Sequence, residues 1–247
     1  MVCRLPGSTV IRCWIFLMGL AVPQLYGQGV EVSAKILVRA SSALAEKKDH
    51  ESPGVGNVVV WLSPLKPLTA TSSLAVGQTV YRLVQKDKMF TPHLLVVPTG
   101  ASVQFPNEDP FFHNVFSLFN GKRFDLGLYE SGTTRSVRFD REGISYIFCN
   151  IHPEMGAVIL ALTTPYYGIS TANGDISIHN VPAGSYRLSL WSENGQLADK
   201  TPNDRVIQVA FEPLHLGDIM LETTAAALAH HKNKFGEDYE PNHGALY

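Results

Sequence analysis

An alternating run over residues 144–148 carries the chain into a loop that presents three soft or borderline donors at a three-residue beat. They are the thiol of Cys149, the imidazole of His152 and the thioether of Met155. A second apolar run, residues 158–163, leaves the far side of that loop. A tether this short wraps its donors around one point, and it needs a rigid frame to keep them there. The stretch therefore asks for a β scaffold.

The rest of the chain reads as the material for one. Residues 32–38 alternate as a strand does, and residues 57–62 are apolar on both faces, as in a central strand. Further strand-like runs lie at 80–84, 93–97, 103–105, 115–119 and 133–139, while 124–129 is less regular. Turns are marked at residues 85–88, at Pro98-Thr99-Gly100, at Asn120-Gly121, at Glu130-Ser131-Gly132 and at residues 140–143. About seven or eight short strands at this spacing predict an all-β Greek-key sandwich. Residues 40–56, with Ser, Glu, Lys, Gly and Pro, read as a loop, and 63–79, rich in Pro, Ser and Thr, as a long surface excursion.

Pro165 is expected to close this first domain, 28–164. A smaller β-sandwich module is expected over 165–222, from runs at 166–170, 176–179, 186–191, 206–211 and 218–221. A tail over 223–247 is expected to hold a short helix through residues 225–234, capped by Thr223 or Thr224 and stopped at Gly236. His230 and His231 lie about 100° apart on such a helix and do not readily chelate one ion, so they are read as solvent-facing. His93, beside Pro92 at a strand start, is read as structural.

The N-terminus reads as a secretory signal over 1–27. Arg4 and Arg12 make a basic start, residues 13–22 an apolar run, and Leu25-Tyr26-Gly27 a cleavage site. The apolar run is shorter than the ~20 residues of a spanning helix, so no membrane span is expected after cleavage. A periplasmic or extracellular protein follows as the expectation. Cys3 and Cys13 fall within the signal, which leaves Cys149 as the one cysteine and excludes an intramolecular disulfide. A lone thiol in an oxidising compartment has to be buried or occupied. Burial as a small apolar group is the bland reading, and the company of His152 and Met155 favours occupation by a metal.

The formal charge of −2 and the absence of a Lys/Arg-rich run point away from nucleic acid. No glycine-rich phosphate loop, His-Cys-His segment, or protease or glycosidase motif is present, so no enzyme is expected. Thiolate, thioether and imidazole together suit copper, which in a trigonal set with a weak axial sulfur can exchange one electron. A second imidazole is needed, and His113, within residues 107–115, is the best supplier. A non-redox copper binder for storage, delivery or sensing is the alternative, although one relevant methionine fits electron carriage better.

On these residues the chain resembles the cupredoxins. Cys149-x2-His152-x2-Met155 has the amicyanin spacing, and His113-Asn114-Val115 is similar to the family's upstream histidine followed by asparagine. The likeness runs over about residues 29–163. It implies one type 1 (blue) copper ion bound by His113, Cys149, His152 and, axially, Met155. It further implies that the backbone N–H of Asn114 reaches the sulfur of Cys149 while its side chain ties the two ligand loops together. A one-electron carrier is implied, with electrons leaving through the edge of His152. Phe111, Phe112 and Pro153 would either form a docking patch for a transient redox partner, a cytochrome c or a periplasmic oxidoreductase, or simply pack the loop. Asn173-Gly174-Asp175 and the stretch from Asn180 through Tyr186 to Trp191 resemble the carboxypeptidase regulatory-like, transthyretin-like β module, which implies a structural or docking role. The combination resembles exported methylamine-utilisation and plastocyanin-like proteins.

Overall fold

The computed structural model describes residues 29–39, 55–67, 79–118, 121–193, 195–197, 205–223 and 231–239. The expected signal over 1–27, most of both expected loops, Asn120 and His230 lie outside the described residues. Among those described the protein is all-β, with eighteen strands. No helix there is long and apolar enough to cross a membrane.

Two strands come first, β1 (Val30–Arg39) and β2 (Val59–Pro64). Ten follow before Pro165. They are β3 (Tyr81–Arg82), β4 (Val84–Lys86), β5 (Met89–Thr91), β6 (Leu94–Pro98), β7 (Ser102–Pro106), β8 (His113–Ser117), β9 (Phe124–Tyr129), β10 (Thr134–Arg138), β11 (Gly143–Cys149) and β12 (Gly156–Leu162). Six close the set: β13 (Tyr167–Ile169), β14 (Asp175–Val181), β15 (Gly184–Trp191), β16 (Gly195–Leu197), β17 (Arg205–Val209) and β18 (Leu214–Thr223). Residues 124–129, read as less regular, form β9, which pairs with β8 at Phe124, Asp125, Leu128 and Tyr129 and shifts register between them, opposite the Asn114–Phe116 step.

The sheets cut across the expected domain boundary. β1 lies between β14 and β18, and β2 lies between β13 and β15. The sandwich after Pro165 is thus completed by the two N-terminal strands, and the residues of β3–β12 are inserted within it. The expected division into 28–164 and 165–222 is corrected accordingly: residues 30–64 belong with 167–223. The inserted unit has its own two sheets, ordered β6-β12-β11-β8-β9 and β10-β7-β3, with β4 and β5 as a hairpin.

Alternation along two strands explains how the units pack. In and beside β2, Val58, Val60 and Leu62 face the core shared by the β1 and β2 sheets, while Val59 and Trp61 face the other way. In β12, Ala157, Ile159 and Ala161 enter the core of the inserted sandwich, while Val158, Leu160 and Leu162 turn outward. The two outward faces meet each other, with Leu94, Val96 and Trp191, in a third core. A strand buried on both faces reads as a continuous apolar run, as both of these do. At the edge of this core Trp191 Nε1 donates to the hydroxyl of Tyr146 at 3.4 Å. Beside it the His93 imidazole meets the Glu193 carboxylate at 2.7 Å. His93 therefore ties the two units together, in keeping with a structural role.

The tail departs from expectation. Residues 231–239 form turns, with no helix at 231–234; the remainder of the expected helix lies outside the described residues. His231 is not solvent-facing. Its ring stacks on Phe148, centroids 4.0 Å apart.

Candidate metal centre

Three of the four expected donors converge. His113 opens β8, Cys149 ends β11, and His152 sits in the loop to β12. Cys149 Sγ lies 3.6 Å from Nδ1 of His113 and 3.5 Å from Nδ1 of His152, and the two nitrogens are 3.2 Å apart. The centre of so nearly equilateral a triangle is roughly 2 Å from each corner, and bonds from a transition metal to imidazole nitrogen or thiolate sulfur are about 2.0–2.3 Å long. These residues fit a metal ion. Three electron-rich atoms facing one another at such distances call for a cation or a shared proton between them.

The strands explain the convergence. Cys149 pairs with Val115 across β11 and β8, which sets it beside His113. The loop then folds back on itself: Cys149 N–H donates to the Met155 carbonyl at 3.3 Å, and Met155 N–H to the His152 carbonyl at 3.1 Å. Met155 is fully buried in the same core as Cys149. Cys149 and His113 are themselves fully buried, whereas His152 keeps partial exposure. Phe111 packs against both imidazoles, its centroid 5.3 Å from that of His113 and 5.5 Å from that of His152. Its neighbour Phe112 is 41% exposed.

Burial decides the protonation of the donors. It pushes the His113 imidazole below its usual range, against the opposing pull of Asp109, and does the same to His152, aided by His113. Both rings thus favour the neutral form that has a lone pair to offer. Burial also pushes the Cys149 thiol up, while the backbone N–H groups of Asn114, Ile151 and His152 favour its thiolate. A metal arriving at this site displaces the thiol proton.

Asp109 is the residue that sequence reasoning missed. Its Oδ2 lies 2.8 Å from His113 Nε2, and both side chains are almost wholly buried. The same carboxylate accepts the backbone N–H of Asp87 on Oδ1 at 2.7 Å and that of Lys88 on Oδ2 at 3.1 Å. A carboxylate only accepts, so Nε2 of His113 carries the proton and Nδ1 is left with its lone pair toward Cys149. Those hydrogen bonds outweigh burial and hold the Asp109 carboxyl below its ordinary range. Asn107 braces the loop, its Oδ1 accepting from Asp109 N–H at 3.0 Å and its Nδ2 donating to the Phe111 carbonyl at 2.7 Å. The one signal in the sequence is an acid four residues before a loop histidine, a spacing with no fixed geometry outside a helix.

Asn114 answers half of its expectation. Its backbone N–H faces the Cys149 sulfur, and its carbonyl accepts from Asn150 N–H at 2.9 Å. Its side chain does not tie the two ligand loops. Instead Nδ2 donates to Asp125 Oδ1 on β9 at 2.6 Å.

No family model and no curated protein matches this chain. Solved structures give partial likenesses. One is a purple cupredoxin from Nitrosopumilus maritimus, at 22% identity, covering 33% of this chain and 99% of that one, with a TM-score of 0.30. A second is a copper-containing nitrite reductase from Thermus scotoductus SA-01, at 23% identity and a TM-score of 0.33, covering 39% of this chain and only 25% of the reductase. A third is a mutant of amicyanin with Cu(I), at 16% identity and a TM-score of 0.32, covering 34% of this chain and 82% of that one. Likenesses of this strength, each confined to less than half of the chain, assign it neither a family nor an activity.

Proposed function

We propose that this protein binds one copper ion, which His113, Cys149, His152 and the Met155 thioether would hold, and that it carries single electrons. The observation that supports this reading is the buried triangle of two Nδ1 atoms and one Sγ, with its tautomer set by Asp109. Bound copper would supply a one-electron couple, Cu(II) to Cu(I). The protein's part is to hold two nitrogens and a thiolate in a compromise geometry that suits both states. His113, buried and tied to Asp109, fixes the inner side of the site; His152, half-exposed beside Phe111 and Phe112, is the edge facing a partner. An exported protein and a transient redox partner, such as a cytochrome c or a periplasmic oxidoreductase, belong to the same proposal.

The visible spectrum after addition of Cu(II) tests it. An intense thiolate charge-transfer band, lost in Cys149→Ser, is the expected result, with reversible one-electron voltammetry beside it. A pale complex without that band would reject electron carriage in favour of simple copper binding. Absence of any stoichiometric binding would reject the site.

A further inference from the structure

The donor loop touches a third part of the chain. The Tyr239 hydroxyl donates to the carbonyl of Cys149 at 2.7 Å, and Lys234 N–H donates to Asn150 Oδ1 at 2.9 Å. The Lys234 ammonium pairs with Asp125 Oδ2 at 2.8 Å, on the carboxylate whose other oxygen holds the Asn114 side chain. The His231 ring lies flat on Phe148 and meets the Tyr239 ring edge-on, centroids 5.3 Å apart. Three consecutive positions, Phe148, Cys149 and Asn150, are thus engaged by residues about 80 to 90 positions away, and Asn114 is reached through Asp125.

The segment that reaches them is internally braced. Asn233 Oδ1 accepts the N–H groups of Phe235 at 2.9 Å and Glu237 at 3.0 Å, and Asn233 N–H donates to the Glu237 carbonyl at 2.9 Å. Gly236 takes φ +82°, a left-handed turn that a side chain would resist. A turn locked this way presents Lys234 and Tyr239 from fixed positions. With the Tyr239 bond added, every polar group of Cys149 is engaged: its N–H on Met155, its carbonyl on Tyr239, its sulfur in the donor triangle.

We infer that residues 231–239 are a positioning element of the donor site, with Tyr239 and Lys234 acting through Cys149 and Asn150 to hold the loop in its receiving geometry before any metal arrives. The metal part of this inference rests on the copper reading above; the ordering of the loop does not. Among the described residues no hydrogen bond of the segment goes to a donor atom, so its effect is on where the donors sit.

Tyr239→Phe removes one hydroxyl and keeps the ring against His231, so it is the primary variant, with Tyr239→Phe/Lys234→Ala as the second. In the metal-free full chain, backbone amide exchange at residues 149–155 is measured against that of β6 and β7. One hydrogen bond of ordinary net strength is worth a factor of about five in a local opening equilibrium. Exchange in the loop is therefore expected to rise about fivefold in the single variant and more in the double, with β6 and β7 unchanged. In copper-loaded protein, release to a chelator is expected to accelerate by a similar factor and the thiolate band to shift. If loop exchange stays within twofold of wild type while the melting temperature falls, the segment only adds stability and the inference is overturned. Should the double variant fail to fold, Tyr239→Phe alone decides. If wild type shows no thiolate band, the copper reading fails by itself, and the exchange data still decide the positioning role.

Discussion

Asp109→Asn is the sharpest perturbation the structure offers, because it changes one atom's chemistry and almost no volume. In wild type both carboxylate oxygens accept, Oδ1 from Asp87 N–H and Oδ2 from Lys88 N–H and His113 Nε2–H. An amide offers one oxygen and one NH2. If its oxygen takes the Oδ2 place, the NH2 faces the N–H of Asp87. If it takes the Oδ1 place, the NH2 faces both Lys88 N–H and His113 Nε2. In that second arrangement His113 can keep a hydrogen bond only by moving its proton to Nδ1, the atom that faces Cys149. Either way a buried donor goes unmatched or the metal-facing lone pair is lost.

The size of the effect follows from both outcomes. An unmatched buried donor costs about 1–3 kcal/mol, so metal-free Asp109→Asn is expected to unfold at lower denaturant by that amount. Removing the partner that orients a metal-bound histidine typically weakens metal binding about 10–100-fold. That corresponds to about 1.4–2.8 kcal/mol, because a tenfold change is worth about 1.4 kcal/mol. The assay is copper competition against a chelator of known affinity, on wild type and variant at equal concentration. Binding within twofold of wild type with no loss of stability would refute the claim that Asp109 holds His113 through that hydrogen bond.

Two further predictions concern the frame. The Glu193 hydrogen bond raises the pKa of His93 against the opposing effect of burial. The folded state then holds that proton more tightly than the unfolded one. The pair's contribution is fully present below the ordinary histidine value of about 6.5 and is lost as pH rises through the raised value. The stability gap between wild type and Glu193→Gln is accordingly expected to shrink between pH 5.5 and pH 9 in denaturant titrations, and a constant gap would refute it. Leu160→Ala truncates a fully buried side chain in the core between the two sandwiches. It is expected to cost about 2–5 kcal/mol, as in an ordinary interior; a loss under 1 kcal/mol in the same titration would mean that the two units barely depend on each other.

What could be read from the chain was whatever depends on residues close in sequence. Strand periodicity, the turns, and the Cys149–His152–Met155 tether are local, and His113 followed from the count of donors still needed. The double-faced runs at residues 57–62 and 158–163 announced central strands, but not what they would face. Nothing in residues 30–64 says that β1 pairs with β14 and β18, partners about 140 to 180 positions later. Pairing of that kind depends on which faces remain open after the rest has folded, so a boundary placed at Pro165 divides a sandwich that is continuous in space. The same holds for Asp109, whose worth comes from the N–H groups of Asp87 and Lys88, both in the left-handed region at φ +55° and +53°. His231 departs from its expectation for a related reason. Placed on a helix it would face water; placed in a turn it finds Phe148.

Each side of the donor triangle is held by a different stretch of chain. Asp109, fixed by the turn at Asp87 and Lys88, holds His113. The β11–β12 hairpin and its return bond from Cys149 to Met155 carry Cys149 and His152. The segment at 231–239 clasps the outer side of Cys149 and Asn150. On the proposed reading, in which the site serves two oxidation states, such triangulation helps, since a donor held from one direction alone would relax toward whichever geometry the ion then preferred. The separate supports also make their effects separable: Asp109→Asn should act through the tautomer of one ring, and Tyr239→Phe through the mobility of one loop. Independent supports that do not share a partner are expected to give nearly additive losses in copper affinity. Strong non-additivity in the Asp109→Asn/Tyr239→Phe pair would mean instead that the loop and the His113 side of the site move as one body.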